Sequence, residues 1–185
     1  DRYSVILGQQ WVGEPKTEGV RIFLYPKNER PIIRQDDART SSLKKIYKLY
    51  TPKELLSIIT FSMAKGCEFN FKEWDSEHER LAEIYNSWGS SEKLKDERNT
   101  RPIFSSDKKN GFKESAEGSL LEALKNNKRF GIVAGGLDDR GIYSSLFNTN
   151  QEQYSPGLTA VLSEAQNRSD ILEALYNRSC YATTG

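Results

Sequence analysis

Phe130-Gly131-Ile132-Val133-Ala134-Gly135-Gly136-Leu137-Asp138-Asp139-Arg140-Gly141 is the stretch on which the reading of the fold turns. Its first five residues, Phe130 to Ala134, are apolar and small, the pattern of a strand buried on both faces. Two glycines follow, and then the adjacent carboxylates Asp138 and Asp139. A buried parallel strand that ends in glycine and acids presents those acids at its C-terminal edge, where α/β folds bind ligands. The same residues also suit a plain turn, with Asp138 or Asp139 capping nearby backbone.

Moving outward, strand-like runs alternate with helical patterns. Upstream, Phe112 to Lys128 reads as a helix with Leu120, Leu121 and Leu124 on one face and a basic end that suits the helix dipole. Before it, the polar residues 88–110 read as a surface insertion. Downstream, Gly157 to Leu162 is a further apolar run, Ser169 caps a helix over Asp170 to Asn177, and Ser179 to Thr183 is the last strand.

Nearer the start, Tyr3 to Leu7 and Val20 to Tyr25 read as strands flanking a polar turn at Gly13 to Gly19. Ser42 to Tyr50 is a weak helix, and Thr51-Pro52-Lys53-Glu54 is a helix start. Ser57 to Phe61 is a β-branched strand. Ser76 to Glu79 reads as a capping box leading into the strand-like Leu81 to Tyr85, which carries Glu83 inside it. This order predicts an α/β fold: mostly parallel strands with covering helices.

The 185 residues suffice for one domain, and 36% hydrophobic with 29% charged residues marks a globular chain. Basic and acidic residues nearly cancel, 27 against 26, which gives no electrostatic argument for nucleic acid. No run approaches the length of a membrane span. Cys67 and Cys180 have no metal-ligand spacing; they read as buried thiols, with pairing in an oxidising compartment as the alternative. The single histidine, His78, sits among Glu77, Glu79 and Arg80 and reads as a surface residue. A start at Asp1 that runs almost at once into strand-like residues is expected of a piece of a longer protein.

Several stretches together resemble an uncharacterised family of the PHP group (polymerase and histidinol phosphatase), metal-dependent phosphoesterases related to amidohydrolases. The closing PGLTAVLSEAQNRSDILEALYNRSCYATTG resembles the end of that family's catalytic domain, including its CYATTG. Arg80 to Glu92, RLAEIYNSWGSSE, resembles a family stretch reading LVEIY and then HGSSE, and VILGQQWVG resembles its LLGYEWT. The resemblance implies part of a distorted PHP-type (β/α)7 barrel with metal ions at the strand C-terminal ends. It also implies a hydrolase in which the ions acidify a water that attacks a phosphoester.

The departures all remove ligands. Where the family has paired histidines, this chain has Thr60-Phe61-Ser62-Met63. Where it has an S-D-x-H motif, Asp138 is kept and Arg140 stands in the histidine position. The G-H-x-N motif becomes Gly19-Val20-Arg21-Ile22, and HGSSE becomes Trp88-Gly89-Ser90-Ser91-Glu92. Arginine offers only donors and cannot ligate a cation. Glu83 and Asp138 remain at positions that ligate metal in the family, enough to hold one divalent ion (Mn, Zn, Fe or Mg) weakly. As plain structural residues, Glu83 would pair with a lysine or arginine, and Asp138 would cap a turn or pair with Arg140.

Three functions follow. One is a weak or inactive PHP-like metal-dependent hydrolase. Another is a pseudoenzyme whose old metal cleft, made basic by Arg140 and Arg21, binds a small anionic or phosphoester ligand. The third is a structural domain covered by the remainder of the parent chain or by another subunit. No nucleic-acid or membrane partner is expected.

Overall fold

A glycine-bounded turn sets the first feature of the fold. In the computed structural model, which describes residues 3–30, 32–103, 113–135, 154 and 156–183, Leu7–Val12 (β1) and Val20–Tyr25 (β2) pair antiparallel. Gly13 N–H donates to Gly19 O at 2.8 Å to close the turn. Gly19 has φ +63°, and a side chain there would meet the Cys67 carbonyl at 2.9 Å. The first strand lies later than the predicted Tyr3 to Leu7. Its register places Trp11 in the core, 6.2 Å from the Phe23 ring, and lets Gly8 pass close to the Phe23 carbonyl.

Leu43–Leu49 (α1) follows, capped by Ser42, whose hydroxyl accepts from Lys45 N–H at 3.4 Å. Leu43 and Ile46 pack on Trp11, Phe23, Tyr25 and Leu55. Leu56–Thr60 (β3) runs antiparallel to β2, with Leu56 opposite Leu24 and Thr60 opposite Val20. Leu81–Asn86 (β4) lies parallel to β3, and Gly89–Ser90 (β5) turns back antiparallel on its end. Leu120–Lys125 (α2) leads to Gly131–Ala134 (β6), parallel to β4. Leu158–Val161 (β7) and Cys180–Thr183 (β8) form a separate antiparallel ribbon, joined through Arg168–Tyr176 (α3).

Alternation along the strands sorts the core into two sides. Ile59 and Ala82 pack with Leu120, Ala123, Phe69 and Phe71 on the α2 side. Leu56, Ile58, Leu81 and Val133 pack with Leu172 and Leu175 of α3 on the other. Ile59 and Leu81 are fully buried, each contributing about 2 kcal/mol relative to exposure.

The predicted α/β (β/α)7 barrel part, with mostly parallel strands and covering helices, is corrected by this topology. Among the described residues the sheet is mixed and not closed: β1, β2 and β3 are antiparallel, and of the named strands only the β3–β4 and β4–β6 pairs are parallel. The helical pattern between β2 and β3 reads locally like a parallel crossover. Yet residues 26–55, which join β2 to β3, are long enough for either a crossover or a return, so length alone does not set the direction. The connection returns to the end of the sheet it left, and β3 runs back along β2.

Two predicted helix starts are built differently. Thr51 N–H and hydroxyl both donate to Glu54 Oε2, at 3.0 and 2.9 Å, but a single turn follows before β3. The box predicted at Ser76 forms one residue earlier. Asp75 Oδ1 accepts from Glu77 and His78 N–H at 2.9 and 3.1 Å, and Glu79 Oε2 accepts from Asp75 N–H at 3.0 Å. Within residues 88–103, Ser90 N–H donates to Arg101 O at 2.8 Å, and Ile103 packs with Val20, Phe61 and Met63.

Candidate functional site

The C-terminal ends of β3, β4 and β6 lie side by side, because these three strands are parallel. Thr60 ends β3, and the chain then turns through Phe61, a non-glycine residue at φ +53°. Glu83 sits in β4 just before a register shift that separates it from Tyr85, the kind of bulge that re-aims a side chain. Gly135 follows β6, and its lack of a side chain makes room for the acid: a Cβ there would stand 2.7 Å from Glu83 Oε1.

Glu83 is buried and has no cationic partner among the described residues. Its Oε2 accepts from the Thr60 hydroxyl and from Asn86 Nδ2, the latter at 2.8 Å. Asn86 is itself oriented, since its Oδ1 accepts from Trp88 N–H at 2.9 Å. Burial pushes the Glu83 pKa above the usual carboxylate range, and the two hydrogen bonds oppose that shift without cancelling it.

The sequence located Glu83 in its strand but not its partners Thr60 and Asn86. Its structural alternative, pairing with a lysine or arginine, is replaced by these two neutral donors. Asp138 and Arg140, predicted to complete the metal and anion sites, lie outside the described residues. Phe61 and Met63, which stand where the resemblance expects histidine ligands, are core residues packed with Val20, Ala64 and Ile103. Among the described residues no group of three His, Cys, Asp or Glu side chains could hold a metal ion.

Arg21, expected to make the cleft basic, lies elsewhere. Its side chain is 0% exposed and Glu79 beside it 1%. Nε donates to Glu79 Oε1 at 2.8 Å, and Nη2 lies 2.6 Å from the same oxygen, off the line of a hydrogen bond. The guanidinium also covers the Phe69 ring at 4.1 Å. Tyr47 OH joins the cluster, 2.9 Å from Ser57 Oγ and donating to Glu79 Oε1 at 3.2 Å. Burial, and then the Glu79 charge, raise the Tyr47 pKa well above its ordinary value.

His78, expected at the surface, has a side chain 11% exposed. It stacks on Tyr47 with ring centroids 4.3 Å apart, and its Nε2 lies 2.9 Å from Tyr50 O. The tie explains its burial: the ring joins the end of α1 to the Asp75 turn. Its neighbours in the sequence are all polar, so no local pattern could signal it. Cys67 and Cys180 are free thiols, each partly buried, and burial raises the pKa of both. Among the described residues no helix is long and apolar enough to cross a membrane.

With this geometry in hand, comparison places the chain beside longer chlamydial proteins. It is 45% identical over 185 residues to uncharacterized proteins of Chlamydia muridarum and Chlamydia trachomatis serovar D. To one of Chlamydia pneumoniae it is 43% identical over the same length. Each alignment covers 100% of this chain but 29% of the relative, so the chain spans under a third of the proteins it matches. No family model and no solved structure matches it.

Proposed function

We propose that this domain binds a ligand rather than hydrolysing one, a pseudoenzyme module within a longer protein. The observation that carries this reading is the state of Glu83. It is a buried carboxyl with raised pKa, held by Thr60 and Asn86, and among the described residues it belongs to no group of three His, Cys, Asp or Glu side chains that could hold a metal ion. A group in that setting holds a proton and a hydrogen-bond geometry; it does not concentrate charge on a cation. The core placement of Phe61 and Met63 supports the same reading.

Elemental analysis of the purified full-length protein tests it, beside a Glu83→Gln variant. The expected result is no stoichiometric Mn, Zn or Fe in either form, with the variant folded, because glutamine mimics a neutral acid. One metal per chain that disappears in Glu83→Gln would establish the metal-dependent hydrolase instead.

A further inference from the structure

A cavity of about 480 Å³ opens beside the ends of β4, β6 and β8, on the loop that follows β5. That volume suits a small organic ligand. Ile84, Ile132 and Ala182 line it with apolar surface, while Arg98 and Arg101 bring positive charge.

Arg101 is fixed in place. Its Nη1 donates to Tyr85 OH at 2.7 Å, and its guanidinium carbon stands 5.1 Å from the centre of that ring. The backbone beneath it is braced by the buried Asn99, whose Nδ2 donates to Ser90 O at 3.2 Å and to Lys93 O at 2.8 Å. Asn99 Oδ1 in turn accepts from Arg101 N–H at 3.0 Å. Arg98 holds φ +68° within the same loop, a conformation that non-glycine residues seldom adopt.

Neither arginine has a carboxylate partner among the described residues. Glu92 also lines the cavity, but its Oε1 lies 3.6 Å from Lys93 Nζ. Two uncompensated guanidinium groups above an apolar floor match an oxyanion carried on an apolar body, since arginine presents a planar fork of donors to such groups.

We propose that this cavity binds a small organic oxyanion, with Arg98 and Arg101 holding the charged group and Ile84, Ile132 and Ala182 the apolar part. The inference stands apart from the reading of Glu83: it concerns other residues, and it is measured without reference to metal.

Isothermal titration of the full-length protein at low ionic strength tests it with phenyl phosphate and benzoate. Saturable binding of either anion is expected, weakened about tenfold or more in Arg98→Gln and in Arg101→Gln and reduced by added salt. Neutral phenol should not bind measurably. The Arg98 side chain takes no part in holding the loop, so Arg98→Gln remains informative if Arg101→Gln is unstable. Binding of neither anion, or binding that Arg98→Gln leaves unchanged, would overturn the proposal.

Discussion

Removing the Glu79 charge beneath α1 should destabilise this domain more than a typical core truncation. Glu79 Oε1 lies 2.6 Å from Arg21 Nη2, and both side chains are essentially unexposed. At an effective dielectric of about 20, opposite unit charges that close attract by about 6 kcal/mol. Glu79→Gln keeps the shape but leaves the Arg21 cation buried with no counter-charge. It also turns an amide toward the Tyr47 hydroxyl or the Asp75 N–H, both of which now donate to the carboxylate. After local relaxation, a loss of about 3–5 kcal/mol is expected, a large fraction of the ~5–15 kcal/mol that holds a domain together. Arg21→Met should cost about 2–3 kcal/mol, because Glu79 keeps the Tyr47 hydroxyl and the Asp75 N–H as donors. The double variant should cost less than the two singles together, by about 2–3 kcal/mol, since it leaves no unpaired charge. Urea unfolding followed by tryptophan fluorescence measures all four proteins. Trp74, whose indole donates to Glu79 O at 3.3 Å, sits at the cluster and reports on it. A Glu79→Gln variant within about 1 kcal/mol of the parent, or an additive cycle, would refute the reasoning.

Two further outcomes follow from the same geometry. Burial raises the folded-state pKa of Glu83 above the ordinary 4.5. The stability linked to it is therefore fully present below that value and lost as pH rises through the folded pKa. As pH rises above 4.5, Glu83→Gln should lose less stability than the parent, read from urea midpoints; parallel curves would show that Glu83 is not the titrating group. Gly118→Ala should fold poorly or lose about 3 kcal/mol or more, because its Cβ would lie 1.7 Å from the backbone oxygen of Ser62. Gly66→Ala, with open space and only φ +97° to strain it, should cost about 1 kcal/mol; similar unfolding midpoints for the two would contradict that ranking.

The chain's local patterns were legible wherever a short stretch carried its own physics. Val20 to Tyr25 is apolar or aromatic apart from Arg21, and it forms a strand over those same residues. The weak helix read over Ser42 to Tyr50 is α1, Leu43–Leu49. The apolar run before Gly135 is a strand in the middle of the molecule, and Glu83 lies inside its own strand at the shared edge. Around the site, however, only the acid could be read from the sequence. Thr60 and Asn86 are ordinary polar residues, 23 and 3 positions from Glu83, and a hydrogen bond between strands leaves no local trace. His78 makes the same point, since its partner Tyr50 is 28 residues away.

By itself the sequence determined where several strands and helices fall and that Glu83 lies inside a strand, because periodicity and capping act within a few residues. Strand direction, the register of β1 and the burial of Arg21 against Glu79 were decided only by the tertiary structure. Those depend on which distant surfaces meet. Trp11 finds Phe23 only across the β1–β2 pairing, and β3 pairs antiparallel with β2 after a connection, residues 26–55, long enough for either direction. The same alternating pattern satisfies either strand direction, so the choice falls to packing between segments far apart in the chain.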